Sequence, residues 1–478
     1  LKLLRVYVVL SAGQIASRLL GLLAFAWLAR ALDPVGYGAA EYVIGIALVV
    51  SILIDSGSSA VGVRRAIESP ATLPVLAFQI FAARLMFAAI GLPIFALVAF
   101  SRPSSIVPAG LAWLFAASLL AAPWRHEWMF QATARMHNVA WAQVIRAGVF
   151  AALAWLLVRG PGDLVAVGWA ELGAVAALTA YCLYLQHTRI TPIRVRGTFG
   201  GFAALARESA IAGGGNGIWH MSQYAPLLLI GALAGGVLTA WFAASARIVG
   251  ALMVIPYVYH YGLYPAVARA ATREDGELRE LLARSCRVAA WAGIFLALCL
   301  TLFAEPLVVL TMGSKLASAA SMLRIMAWVL PVSLCSGHAL AALASIGAQA
   351  RLLWTQLAGL ATVVTVGLLL RDVPEGHGYA IAFVSSAVAL WLVAHFFARR
   401  HGLHPPPFRL ALKPALVAAA VLIAARLTDS GPWLSLGWLA AYAAAAPLAD
   451  RKLLRDVSAL GRSSSTAAPT TWSSAGSA

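Results

Sequence analysis

Apolar runs of close to twenty residues follow one another along this chain, each closed by a short polar or basic segment. About twenty apolar residues in a helix cross the ~30 Å hydrocarbon core of a bilayer. Lipid admits only structures that satisfy their backbone hydrogen bonds internally. A chain patterned this way has one fold class open to it, an all-α polytopic membrane protein. The runs predict spans near Val6–Leu28, Ala39–Val61, Thr72–Phe100, Ile106–Trp124, Val139–Val158, Leu164–Leu185, Ser209–Leu233, Val237–Tyr264, Val288–Thr311, Met322–Ile346, Leu352–Leu370, Tyr379–Phe397, Pro414–Leu427 and Trp433–Leu448. That makes about fourteen transmembrane helices, the last two short for a span.

Composition excludes the main alternative. Only 11% of the residues are charged and 62% are hydrophobic, against about 25% charged in soluble domains. The excess of 35 Lys+Arg over 18 Asp+Glu would suggest nucleic acid in a soluble protein. Here the basic residues sit in short loops, so nucleic acid is not expected as a partner. With the N-terminus inside, about two dozen of them fall in inner loops and about six in outer ones, the positive-inside pattern. The expectation is a multi-pass protein of the inner membrane with both termini cytoplasmic. The first run, after Lys2 and Arg5, is too long for a signal-peptide core and reads as a retained helix. Cys182, Cys286, Cys299 and Cys335 are scattered, mostly inside apolar runs, and suggest neither disulfides nor a metal site.

The expected organisation is an N-terminal lobe of six helices over 1–186, a basic cytoplasmic linker over 187–207, and a second six-helix lobe over 208–398. Two further helices fill 399–449, and a cytoplasmic disordered tail fills 450–478. The two lobes are expected to be pseudo-symmetric, since helices one and two loosely echo helices seven and eight. Between Arg273 and Arg287, Leu278, Leu281 and Leu282 fall at helical spacing. They fit a short amphipathic helix on the inner surface or a solvated connector.

The stretch SRLLGLLAFAWLARALDPVGYG, followed by ILIDSGSSAVGVRRAIE, resembles the start of polysaccharide flippases. These belong to the multidrug/oligosaccharidyl-lipid/polysaccharide exporter superfamily. The matching positions are Arg18, Ala29, Arg30, Leu32, Pro34, Tyr37, Gly38, Asp55, Gly57, Arg64 and Arg65. The likeness continues at PWRHEWMFQATARM and at FAEPLVVLTMGSKLASAASMLRIMAW. The resemblance implies translocation of an undecaprenyl-pyrophosphate-linked oligosaccharide by alternating access, with polysaccharide polymerase and export machinery as candidate partners. The chain departs from the family where an Asp often stands in the seventh helix, since Ala225 occupies that place. Any ion coupling through that acid is missing here.

Ionisable side chains inside spans are costly and mark function. Arg18, Arg84 and Arg247 lie deep in helices one, three and eight, and Arg146 about two turns into helix five. Guanidinium forks match phosphate oxygens, so these four are the candidate cationic cavity. Snorkelling to the interface is the alternative, strongest for Arg146. Asp55 and Glu171 are candidate coupling or counter-ion groups, with helix capping and plain packing as their alternatives. Gln14, His220 and Gln223 are candidate cavity-lining polar groups, or interhelical hydrogen bonds. His338 shows no partner and reads as core. Pro226, Pro256 and Pro331 interrupt helices seven, eight and ten.

No nucleotide-binding, dinucleotide-binding or zinc-protease motif is present, so no cofactor is expected and energy must come from a gradient, the membrane potential or product consumption. The chain reads as a transporter and not an enzyme. Two rivals stay open, an ion-coupled multidrug antiporter of the same superfamily and a membrane-embedded glycan ligase or glycosyltransferase. The first calls for buried acids, the second for a large outer loop with catalytic acids.

Overall fold

The computed structural model describes residues 2–102, 106–192, 201–272, 276–428 and 431–465. Among them the regular elements are all helical. The chain begins with α1 (Lys2–Ala31), α2 (Pro34–Asp55), α3 (Ser58–Glu68), α4 (Leu73–Phe100), α5 (Ala109–Leu120), α6 (Glu127–Ala132) and α7 (Met136–Leu157). It continues through α8 (Leu164–Leu185), α9 (Phe202–Leu233), α10 (Gly236–Leu252), α11 (Val254–Ala270), α12 (Glu277–Leu302), α13 (Ala304–Met312) and α14 (Ala319–Met326). Last come α15 (Val329–Ser345), α16 (Gln349–Leu369), α17 (His377–Arg400), α18 (Arg409–Leu427), α19 (Pro432–Ala449) and α20 (Lys452–Ser465).

Eleven helical stretches among the described residues are long and apolar enough to cross a membrane. Large side chains such as Leu97, Leu369 and Leu427 stand 74%, 76% and 82% exposed on these helices. Water cannot favour so much uncovered leucine, and lipid can. The chain is a multi-pass membrane protein. Three expected spans are helical but fall outside the eleven, so the count of about fourteen is not reached by this measure. Near Ile106–Trp124, α5 has 12 residues, about 18 Å of helix. Near Ser209–Leu233, α9 is a continuous helix from Phe202 whose apolar run is diluted by Gly213, Gly214, Gly215, His220 and Gln223. Near Trp433–Leu448, α19 has 18 residues, the short end of the range.

The chain forms two compact units. The first holds Leu1–Ala251, Ala304–Met326 and Gln356–Ser386, the second Leu252–Phe303, Ala327–Thr355 and Ala387–Ala478. Neither coincides with an expected lobe. Two of the crossings have a common local cause. The chain changes unit at Leu252 and at Ala327, each four residues before a proline, Pro256 and Pro331. Proline has no N–H for the carbonyl four residues back, and its ring clashes with it. Accordingly α10 stops at Leu252 and α14 at Met326, and the expected helices eight and ten are each two helices.

Within the first unit α2 is the most enclosed element, with 14 of its 22 residues buried. Asp33 caps it, accepting from the Gly36 N–H at 3.2 Å, and Pro34 opens its first turn. Glycine lets neighbours reach it. A Cβ on Gly38 would lie 2.0 Å from the Gly236 carbonyl oxygen, and one on Gly213 would lie 2.3 Å from Ser56 backbone. In the second unit α12 begins at Glu277 and runs without a break, burying Leu278 and Leu282. The segment before Arg287 is therefore the first turns of a long helix, not a separate surface helix or a connector. Residues 452–465 form α20, where the sequence suggested a disordered tail. Arg287 of α12 anchors this end by ion pairs to Asp450 and Asp456, each 2.9 Å. Residues 193–200 of the expected linker and 466–478 of the expected tail lie outside the described residues.

Candidate functional site

In the first unit, α1 and α7 run parallel and in close contact. A Cβ on Gly13 would lie 2.6 Å from that of Ala140, Leu20 meets Gly148, and the Trp27 and Trp155 rings stand 6.4 Å apart. The offset is 127–128 residues in all three pairs. Applied to Arg18 it points to Arg146, so these two arginines sit at one level on adjacent helices. Gln14, Arg18 and Phe25 share one face of α1 by helical periodicity. Arg18 is exposed and has no hydrogen bond or ion pair among the described residues. Arg146 is held by Glu171 of α8 at 2.5 Å, and the Glu171 side chain is 14% exposed.

One further cluster joins this face. Arg247 of α10 grips Glu41 of α2 through both prongs, Nε to Oε1 at 3.0 Å and Nη2 to Oε2 at 2.9 Å. The Tyr37 hydroxyl, one turn earlier on α2, donates to Glu41 Oε1 at 2.8 Å. The Glu41 side chain is 3% exposed and that of Arg247 28%. The Arg247 guanidinium lies 3.4 Å above the centre of the Phe25 ring, and Phe25 packs against Phe150, one turn beyond Arg146. Tyr224 of α9 is near enough to feel the charges of Arg247, Glu41 and Arg146 together. His220 and Gln223 are half-buried one turn or less from Tyr224, with His220 edge-on to Trp219. Three arginines and two glutamates thus converge, and Arg18 is the charge left over.

Glu41 is absent from the residues that the sequence nominates for the site, and Tyr37 enters there only as a position of the family resemblance. The signal was available: Glu41 is an acid in the apolar stretch AAEYVIGIALVV, and the rule applied to the arginines covers it equally.

Arg84 does something different. It is 4% exposed. Its Nε donates to Ser58 Oγ at 2.8 Å, one terminal nitrogen to the Arg125 carbonyl oxygen at 2.5 Å, and the other to Ser59 Oγ at 2.8 Å and to Asp55. Four of its five N–H groups are occupied by protein. Asp55 also accepts from Ser59 at 2.7 Å, ends α2, and is followed by Ser56 and Gly57 in the left-handed region. The D-x-G-S-S stretch is therefore a knot tying the end of α2 to α3 and α4. A cargo oxygen could reach Arg84 only by displacing one of these partners, so its expected place in an open cationic cavity is corrected. Asp55 pairs with Arg84 and not with Arg18. Glu208 binds Arg65 at 3.1 Å and also binds Arg64, joining α3 to α9. No group of three or more His, Cys, Asp or Glu among the described residues has metal-binding geometry.

The profile of a family described as polysaccharide biosynthesis protein matches residues 3–271. No curated protein matches the sequence. Solved structures share the fold at low identity. The lipid II flippase MurJ in an inward closed conformation aligns with TM-score 0.72 and 11% identity, covering 95% of this chain and 99% of that one. An inward-facing multidrug-resistance MATE transporter of the MOP superfamily aligns with TM-score 0.62 and 13% identity, covering 80% and 94%. An MOP superfamily transporter from Pyrococcus furiosus, described as having a binding pocket of reverse polarity, aligns with TM-score 0.56 and 16% identity, covering 83% and 94%.

Proposed function

The chain belongs to the family of polysaccharide biosynthesis proteins, and on that premise we propose that it flips an undecaprenyl-pyrophosphate-linked oligosaccharide across the inner membrane by alternating access. Arg18, Arg146 and Arg247 form the anion site, with Gln14, His220 and Gln223 at its polar margin. The observation that carries this reading is the unpartnered Arg18 at the level of Arg146 on a membrane helix. A guanidinium at that depth is expensive without an anion. A pyrophosphate supplies one, bonding through the planar fork. Glu41 and Glu171 hold the other two arginines in place and lower the local charge, so that cargo is bound without being trapped.

A drug antiporter is favoured less. The buried acids that it calls for are present, but each is bound to an arginine, and the remaining charge is positive. On this reading both termini lie in the cytoplasm, in keeping with the basic inner loops, and the polymerase that consumes the flipped unit is the natural neighbour.

The test is vesicle reconstitution with a fluorescent lipid-linked oligosaccharide, followed by quenching of outward-facing label. Wild type should flip the label. Arg18→Ala should slow flipping at least tenfold at equal protein content. Unchanged flipping in both Arg18→Ala and Arg146→Ala would remove the anion site.

A further inference from the structure

His338 is not an isolated core residue. In the second unit it is 0% exposed on α15. Its Nε2 lies 3.2 Å from the Tyr259 hydroxyl of α11 and its Nδ1 3.3 Å from the Cys335 carbonyl oxygen. The same hydroxyl lies 2.8 Å from the Ser285 carbonyl oxygen of α12. His260 stands edge-on to His338, with ring centroids 5.1 Å apart and planes at 86°. It is half-buried and seated over Gly337, where a Cβ would come within 2.1 Å of its Nε2. Both ring nitrogens of His260 are buried beside the Ser333 and Leu334 backbone, without a well-formed hydrogen bond among the described residues.

Counting protons shows what this arrangement permits. With His338 neutral, Tyr259 O–H donates to Nε2, and Nδ1–H donates to the Cys335 carbonyl. With His338 charged, Nε2–H donates to the Tyr259 oxygen, whose hydrogen turns to the Ser285 carbonyl, and the Nδ1–H bond stays. Both charge states are satisfied with every heavy atom in place, and only one hydroxyl hydrogen rotates. A histidine serving as packing needs partners for one state alone. His260 supplies the adjacent ring, half-buried as a residue but with both nitrogens enclosed.

We propose that Tyr259, His260 and His338 form a proton-binding site among the membrane-spanning helices, which His338 holds and His260 loads. Two imidazolium ions 5.1 Å apart repel strongly away from water, so the pair carries one proton at a time. The helices packed against α11 contribute few other titratable groups. Cys286 of α12 and Cys335 of α15 lie beside Tyr259. Arg287, next to Cys286, is held by Asp450 and Asp456. No carboxylate pairs with either ring among the described residues. The bound proton is thus an unbalanced charge, and its occupancy follows the pH of the face it opens to. Proton binding stands by itself; its coupling to cargo movement rests on the flipping function proposed above.

The experiment uses the full chain in lipid vesicles, with ring-15N-labelled histidine, followed by magnetic resonance between pH 4 and 9. One buried histidine should convert to imidazolium, and the signal should vanish in His338→Gln. Tyr259→Phe removes the stronger, charge-assisted bond and should weaken proton affinity about tenfold. His260→Gln keeps an N–H donor beside the Ser333 and Leu334 backbone, and should slow or abolish loading in chains that fold as wild type does. Rings at both positions that stay neutral throughout overturn the site. The same vesicles, under an imposed pH gradient, separate the two claims. Flipping that ignores both the gradient and His260→Gln refutes coupling and leaves flipping standing. A titrating histidine without any flipping refutes the transport function and leaves the proton site standing.

Discussion

Removing Arg247 should hurt this protein far more than removing the charge it binds. Arg247→Met takes both prongs from Glu41, whose side chain is 3% exposed. The carboxylate keeps only the Tyr37 hydroxyl at 2.8 Å. Breaking one side of a buried pair costs about 3–5 kcal/mol, because the surviving charge is stranded. Glu41→Gln is the milder change. Gln keeps an acceptor for Tyr37, and Arg247, at 28% exposure, still has the Phe25 face beneath it, a contact of about 0.5–2 kcal/mol. That variant should cost about 1.5–3 kcal/mol, the range for hydrogen bonds to a charged group. The double variant Glu41→Gln/Arg247→Met should recover part of the Arg247→Met loss, since no charge is left buried. Reversible unfolding of the purified chain in detergent reads all three. The reasoning is refuted if Glu41→Gln matches Arg247→Met, or if the double variant is the least stable.

Two further predictions follow from the packing. Burial drives His126, between the α5 and α6 helices, down to about 4, with the Arg84 charge assisting against its 2.6 Å bond to Gln186. The folded state then binds fewer protons than the unfolded one, so its stability contribution is full above about pH 6.5 and falls away as the pH drops towards 4. Unfolding measured across that window should be steeper for wild type than for His126→Gln, and equal slopes would contradict it. Gly38→Ala should lower the yield of folded protein sharply, because its methyl group meets the Gly236 carbonyl at 2.0 Å, whereas Gly21→Ala meets nothing within 4 Å and should be silent. Comparable yields of the two would contradict that packing.

The spans were legible because their signal is local: apolar length and the prolines that interrupt it. Pro256 and Pro331 even marked where α10 and α14 stop. Depth in the membrane likewise singled out Arg18, Arg84, Arg146 and Arg247. Their roles were not legible, because partnership is set by packing between distant helices. Arg84 and Arg18 look alike in sequence, yet one is bound by four protein groups and the other by none among the described residues. His338 seemed solitary because Tyr259 lies 79 residues away. Fourteen spans were counted by a twenty-residue rule that α5, at 12 residues, does not meet.

The distance between Glu41 and Arg247 along the chain, 206 residues, has a consequence for synthesis. At roughly 5–20 residues per second, a ribosome needs about 10–40 s to make the interval. Throughout that time α2 must already have left the translocon, or wait beside it, with its carboxyl bonded to Tyr37 alone. Its strongly apolar remainder carries the acid into lipid, at a cost that lasts until Arg247 emerges. Assembly of the first unit is therefore a timed event, completed when α10 arrives with the guanidinium that pairs with that carboxylate. Chains halted before residue 247 should be the ones that quality-control proteases recognise.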